Sequence, residues 1–345
     1  MILPKIYHID VTGRCNLNCI HCRGMGKKDL ATDEILTVLN NVYNSFGTSI
    51  EWIEISGGEP LLRKDLYKIL KYIKRKFGWR IIVVSNGWYI SRKAVEFLEK
   101  TGVERVQISL DGATEKTHNK IRRNPLAFKK AINAIKLLVS SKILTIARLV
   151  INQYNMNEVE KFFELCKQLG VNEIGIRCAV LAGNARENDL QINYRRYIDL
   201  LKSLHKLGEK YKIDYYSGDP LAVVFDKNSL EYLKKKKGKK WLNCLAGCSI
   251  GSAYLYTNSE GYICPCPNLQ ELKLGNALNN EIEKVWKYAD VFVRCRTRNF
   301  DGWCGECKYK FICGGCRVFA KYLDNNLYGT DLRCPFAGAN HSSSK

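Results

Sequence analysis

Three cysteines at CxxxCxxC spacing stand near the start of the 345-residue chain, in Cys15-Asn16-Leu17-Asn18-Cys19-Ile20-His21-Cys22. They directly follow Ile6–Val11, a short apolar run that reads as a strand. A [4Fe–4S] cube needs thiolates that converge on different irons, and a short loop with these two gaps can curl to deliver three. The next cysteine is Cys166, so the fourth iron would carry no protein thiolate and would stay open to another ligand. That open position separates a reactive cluster from an electron carrier, which closes all its sites. Two plainer readings are a zinc site and a disulfide. Zinc takes four protein ligands in structural sites, or three plus water in catalytic ones, often with histidine. His21 lies in the loop, but its neighbour Cys22 already takes that ligand position. Spacing favours iron–sulfur and leaves zinc open.

A second group lies far downstream. Ten cysteines run from Cys244 to Cys334, at Cys244, Cys248, Cys264, Cys266, Cys295, Cys304, Cys307, Cys313, Cys316 and Cys334. Such density exceeds one metal site. Its centre is Cys304-x2-Cys307-x5-Cys313-x2-Cys316, and five residues between the pairs is cramped for a zinc ribbon. Two four-cysteine clusters would use eight of the ten thiols. Cys166, within a helical pattern, and Cys178, at a strand end, read as buried structural thiols.

These sites need a scaffold. Strand-like segments at Ile6–Val11, Ile50–Ser56, Arg80–Ser85, Arg105–Leu110, Ile143–Ile151 and Glu173–Cys178 alternate with amphipathic helical patterns. The helical stretches are Asp33–Phe46, Lys64–Phe77, Arg92–Thr101, Ala127–Ser140 and Asn157–Leu169. This rhythm predicts a parallel sheet with right-handed crossovers, either open or curved into a partial barrel. In such folds ligands bind at the C-terminal strand ends. Gly57-Gly58-Glu59-Pro60, Ser85-Asn86-Gly87, Ser109-Leu110-Asp111-Gly112 and Val150-Ile151-Asn152 all fall there. Residues 192–233 read as mainly helical, broken at Ser217-Gly218-Asp219-Pro220.

Hydrophobic residues make up 46% of the chain, no apolar run reaches membrane-spanning length, and the N-terminus lacks a signal-peptide pattern. The expectation is a cytoplasmic protein without a membrane segment. Fifteen cysteines in that setting point to metal or redox chemistry rather than disulfides. The formal charge of +21 overstates the loaded protein, since cluster thiolates add negative charge, yet it leaves a basic surface. That surface suits an anionic substrate, nucleic acid or an acidic electron donor. The six lysines of Lys234–Lys240 read as a solvated loop between domains.

The CxxxCxxC loop resembles the signature of the radical S-adenosylmethionine (SAM) superfamily, CxxxCxΦC, with His21 at the position that is usually aromatic. The resemblance implies a partial (β/α)6 barrel over residues 1–215, a linker over 216–243 and a second domain over 244–345. It implies that Gly57, Gly58 and Glu59, matching the GGEP motif, hold the SAM amino group. Ser85 and Asn86 match its "TNG" turn, and Ser109 and Asp111 its ribose-contacting segment. His118-Asn119-Lys120-Ile121-Arg122 resembles an H-x-x-x-R element whose arginine pairs with the SAM carboxylate; spacing favours Arg122 over Arg123. The C-terminal half resembles the small, cysteine-rich SPASM domain, with CxxC rather than CxxxC between Cys313 and Cys316. Carried across, that pattern implies one auxiliary cluster on Cys244, Cys248, Cys266 and Cys316, and another on Cys304, Cys307, Cys313 and Cys334. Cys264 competes with Cys266, and Cys295 is left over.

The cofactors implied are SAM and three [4Fe–4S] clusters, one SAM-binding and two auxiliary. SAM would be cleaved reductively to methionine and a 5′-deoxyadenosyl radical that abstracts hydrogen, with reduced ferredoxin or flavodoxin as electron donor. The leading expectation is a maturase acting on a peptide or protein. Cys15 lies too near the start for the peptide-recognition module that such enzymes carry ahead of the barrel, which leaves room for a separate recognition protein. "CNLNCIHCRG" and "CGGCR" also resemble enzymes of siroheme-dependent haem biosynthesis, whose substrates are polycarboxylate tetrapyrroles. A zinc-dependent nucleic-acid-binding protein is the non-enzymatic alternative.

Overall fold

Apolar residues at every second strand position build the core. The computed structural model describes residues 2–24, 26, 28–190, 192–226 and 247–337. Its strands are β1 (Ile6–Thr12), β2 (Trp52–Gly57), β3 (Arg80–Ser85), β4 (Val103–Ser109), β5 (Leu144–Ile151), β6 (Glu173–Cys178), β7 (Asp214–Ser217), β8 (Tyr254–Thr257), β9 (Tyr262–Cys264) and β10 (Gly275–Asn276). The first six are joined by helices α1 (Thr32–Phe46), α2 (Leu66–Lys76), α3 (Arg92–Lys100), α4 (Glu115–Arg122) and α5 (Ala127–Val139), and α6 (Val159–Leu169) follows β5. They form one sheet in the order β10-β9-β8-β1-β2-β3-β4-β5-β6-β7, parallel from β8 through β7.

Outward-facing Tyr7, Ile9, Ile53, Ile55, Ile81, Val83, Val106, Ile108, Leu149 and Ile176 join the helices in one buried core. Each such side chain contributes about 1.5–3 kcal/mol on burial. The alternate residues line the inner wall and are polar: His8 and Asp10 on β1, Glu54 on β2, Gln107 on β4, Arg148 on β5, Arg177 on β6 and Tyr216 on β7. At the N-terminal strand ends the Trp52 ring lies against the guanidinium groups of Arg80 and Arg105, at 3.8 and 4.8 Å from its centroid. Among the described residues no helix is long and apolar enough to cross a membrane.

Two features go beyond the expected six strands and second domain. Strand β7 occupies Asp214–Ser217, inside the stretch read as mainly helical. And β8, from the cysteine-rich half, pairs with β1 from Ile6↔Tyr254 to Ile9↔Thr257. The β1 edge would otherwise offer unpaired backbone groups; β8 covers it and makes both halves share one sheet. The Lys234–Lys240 run and Cys244 lie outside the described residues.

A buried charge network also joins the halves. Arg333 grips Asp331 through Nε (3.0 Å) and Nη2 (2.7 Å), and reaches Asp219 at 2.5 and 3.1 Å. Tyr197 donates to the same Asp219 at 3.0 Å. All three charged side chains are sealed from water, so removing the cation strands two carboxylates. Arg333→Met should therefore lower stability by about 3–5 kcal/mol, seen as a lower urea midpoint at unchanged slope. A loss under about 1 kcal/mol would show that the bridge is not what joins the halves.

Candidate functional site

The cysteine loop leaves β1 and rests on two glycines. Gly57, at φ +131°, and Gly58 lie so close beneath it that a Cβ on either would sit 2.2 Å from Thr12 O or 2.0 Å from Arg14 O. Gly58 N and Glu59 N donate to those same carbonyls, at 2.8 and 2.9 Å. The close backbone approach that the glycines permit is thus made to the loop. Asp29 grips the same turn, accepting from Thr12 Oγ1 (2.6 Å), Gly13 N (2.6 Å) and Arg14 Nε (3.0 Å).

Glu59 is fully buried and accepts from Ser85 Oγ (2.9 Å), Asn86 N (2.7 Å) and Leu61 N (3.2 Å). A carboxylate has about four acceptor directions, so one is left. Burial pushes its pKa up to about 7 against those bonds and the Arg122 charge. Asn86 faces the loop, donating to Asn16 Oδ1 at 2.9 Å and lying 3.9 Å from Cys15 Sγ.

From the next strand end, buried Asp111 accepts from Val150 N (2.9 Å) and meets Arg122 Nη2 at 2.5 Å and His21 Nε2 at 3.5 Å. Arg122 closes α4 and puts Nη1 3.5 Å from Cys19 Sγ, so α4 delivers it into the site. Arg123 turns away with φ +53° and donates to Asn188 at 2.5 Å. His118 Nδ1 accepts from Asp111 N at 3.0 Å, and burial, then Arg122, depresses its pKa to about 3. Ser109 is half-buried on the inner face of β4. Asn152 spends its side chain inside its own turn, on Val150 O and Tyr154 N. Strand ends thus bring Glu59, Ser85, Asn86 and Asp111 around one loop, and α4 adds Arg122.

The second cysteine group divides by what each sulfur does. Cys266, Cys307 and Cys313 Sγ each accept an N–H from the residue two positions on, at 3.3, 3.4 and 3.3 Å, and Cys304 accepts from Asp331 N at 3.4 Å. Such bonds suit a thiolate. Cys264 instead points its thiol at Tyr262 O and Gln270 O, as a donor. Cys304, Cys307, Cys313 and Cys334 line a single cavity with Gly314 and Gly315. Both glycines take left-handed backbone, φ +69° and +57°, which curls the chain from Cys313 to Cys316 in two residues instead of three. Cys248 N donates to Cys313 O at 2.9 Å. Cys295 is buried near Cys248, Cys166 is buried among apolar neighbours, and Cys178 is buried beside Arg333 and Asp219.

Sequence reasoning missed Arg23 and its partners. Arg23, next to Cys22, donates to Asp10 (2.8 and 3.1 Å), Tyr256 OH (3.2 Å) and Pro267 O (3.1 Å). Burial pushes the Asp10 pKa up, but Arg23, His8 and Tyr256 together hold it down to about 2. Polar His8 and Asp10 at alternate positions of an apolar strand were the available signal.

The donor set fits an iron–sulfur cluster. Asn16 Nδ2, His21 Nδ1 and Arg122 Nε, all around the cysteine loop, are buried without a hydrogen-bond partner. Among the described residues no three His, Cys, Asp or Glu side chains close on a point as ligands of one metal ion would. A three-cysteine loop at the C-terminal end of β1, over a parallel sheet, and a second group of cysteines beside it fit a cluster-dependent α/β enzyme. The Radical SAM superfamily model matches residues 9–166, and the SPASM iron–sulfur cluster-binding domain matches residues 248–308. An AdoMet-dependent heme synthase of Methanosarcina barkeri (strain Fusaro / DSM 804) is 30% identical over 94% of this chain and 96% of its own. The sporulation killing factor maturation protein SkfB of Bacillus subtilis (strain 168) is 26% identical over 86% of this chain and 68% of its own. Streptococcus suis SuiB bound to precursor peptide SuiA superposes with a TM-score of 0.74 at 16% identity, covering 98% of this chain and 77% of that one. The chain belongs to the radical SAM superfamily and carries a SPASM domain. It is an enzyme, which leaves the nucleic-acid-binding alternative without support.

Glu59 gives a pH test. Between about pH 4.5 and 7 the folded chain keeps this proton and the unfolded chain has lost it, so stability falls as pH rises through that window. Glu59→Gln should remove about 3 kcal/mol of that fall, read as the change in the wild-type-minus-variant difference between pH 4.5 and 7.5 in denaturant titrations. An unchanged difference would mean that Glu59 stays ionised.

Proposed function

We propose that this enzyme modifies a polycarboxylate tetrapyrrole oxidatively, as a synthase of the siroheme-dependent haem type. The observation that carries the reading is the end-to-end match to the heme synthase, 94% of one chain on 96% of the other at 30% identity, against 26% identity for the peptide-maturing relative SkfB. The peptide or protein substrate remains the second reading, supported by that relative.

In the proposed assignment Cys15, Cys19 and Cys22 hold the SAM-binding cluster. Cys248, Cys266 and Cys316, with Cys244 outside the described residues, hold one auxiliary cluster, and Cys304, Cys307, Cys313 and Cys334 hold the other. Cys266 is preferred over Cys264 because its sulfur accepts an N–H where the other donates. A cluster held by Cys15, Cys19 and Cys22 would supply the electron for reductive cleavage of SAM. The chain's own residues bind and orient. Glu59 keeps one acceptor direction for the SAM ammonium, and Arg122 keeps its buried Nε for the carboxylate while Asp111 fixes its other edge. Asp111 then serves as the positioning residue for Arg122. Ser109, whose hydroxyl makes no hydrogen bond among the described residues, is the group left for the ribose. The basic chain, +21 overall, suits an acidic electron donor such as ferredoxin or flavodoxin.

The test is mass spectrometry after anaerobic incubation of the reconstituted enzyme with SAM, reductant and either an iron-bearing polycarboxylate porphyrin or a peptide panel. A mass change in the porphyrin, with matching deoxyadenosine, is expected. A modified peptide and an unchanged porphyrin would overturn the reading in favour of the maturase.

A further inference from the structure

A guanidinium inside a barrel is costly unless an acceptor faces it. Four stand on or against the inner wall. Arg23 is held by Asp10 at 2.8 Å, and Arg105 faces Glu173 at 3.4 Å. Arg148 gives Nη1 to Gln107 Oε1 (2.9 Å) and Tyr216 OH (3.1 Å). Its Nε and Nη2 have no acceptor among the described residues, and half-buried Arg177 makes no hydrogen bond or ion pair there at all. The third inner carboxylate, Glu54, lies in the field of Arg148 but is placed 3.7 Å from His8. Of the four guanidinium groups, that of Arg177 is the one that no acceptor faces among the described residues.

The free edge of Arg148 and the stem of Arg177 border the same turn, at Gly218. A Cβ at Gly218 would meet Arg148 Nη2 at 3.8 Å and Arg177 Cβ at 3.9 Å. Arg177 is in register with Val150, two residues beyond Arg148 on the adjacent strand. Both point inward near the C-terminal strand ends, and Arg177 acts electrostatically on Tyr254 and Cys266. The Nε–Nη2 edge that Arg148 leaves free is the one that grips a carboxylate side-on with two parallel bonds. This chain uses that edge elsewhere: Arg63 holds Asp65 with it at 2.9 and 2.8 Å, and Arg333 holds Asp331 at 3.0 and 2.7 Å.

We propose that Arg148 and Arg177 form an anion clamp that takes a carboxylate side chain of the tetrapyrrole substrate. The clamp rests on the tetrapyrrole reading above and adds where the substrate's acid groups are held. Arg148 supplies the fork and Arg177 the second positive charge, beside the loop that carries Cys266. A neutral ester of the same side chain leaves the clamp without its counter-charge.

Binding of coproporphyrin and of its methyl ester, followed by fluorescence quenching in the reconstituted protein, tests this. Wild type should bind the acid at least about tenfold more tightly than the ester. Arg177→Ala and Arg148→Lys should each weaken acid binding by about tenfold to a hundredfold while moving ester binding by less than about twofold. Arg177 has no partner to strand, so its variant should fold as wild type, judged by circular dichroism. Unchanged acid binding in both variants, with wild type still binding coproporphyrin, overturns the clamp and leaves the tetrapyrrole reading standing. Wild type binding neither acid nor ester overturns that reading, and the clamp with it.

Discussion

One guanidinium, that of Arg23, sits where all the parts of the site meet. It follows the last thiol of the cysteine loop, holds Asp10 of β1 with two bonds, and reaches Tyr256 on β8 and Pro267 O, next to Cys266. Tyr256 closes the circuit by donating to Asp10 at 2.5 Å. A buried ion pair of this kind adds little net stability, but losing one member leaves the other charged and dry. Its consequence here is register. The first cysteine loop and the Cys266 loop cannot shift independently, because each hangs on the same carboxylate or the same cation.

The shared sheet makes that circuit available. If the cysteine-rich half merely touched the barrel, Tyr254 and Tyr256 could not stand on the inner wall beside His8 and Asp10. Parallel pairing of β8 with β1 puts them there, with His8 sharing a hydrogen bond with Tyr254 and lying edge-on to both tyrosine rings. The Arg333–Asp219–Asp331 network then fastens the far side, where Asp331 Oδ2 also accepts from Cys316 N at 2.8 Å. Backbone N–H groups and rigid loops thereby hold sulfurs in place before any metal binds, which lowers the ordering cost of loading them.

Much of this was legible in the residues. The six βα units, the strand-end clusters and both cysteine groups follow from period, turn chemistry and spacing. A helix that begins at Glu115 carries Arg122, and not Arg123, back to Asp111. What stayed hidden depends on long-range pairing. Strand β7 is only four residues, and its Tyr215 and Tyr216 fit a helix as readily as a strand. Nothing local to Tyr254–Thr257 says that it will pair with β1, nearly the whole chain away. The approach of Gly57 and Gly58 to the cysteine loop was likewise hidden, because it joins the ends of two strands. The inner-wall charges were written in the strands as polar residues at alternate positions, a pattern that reads as a solvated face until the sheet curves round to enclose it.

The central claim is that one thiolate loop holds a cluster with a position open to SAM, while the other thiolates hold closed clusters. Electron paramagnetic resonance of the reduced, reconstituted protein with and without SAM addresses it directly. The account predicts that SAM reshapes the signal of a single cluster, that this signal is absent when Cys15, Cys19 and Cys22 are replaced by Ala, and that the remaining signals ignore SAM. A protein that binds SAM without any change in signal, or that holds zinc and gives no signal, would contradict it.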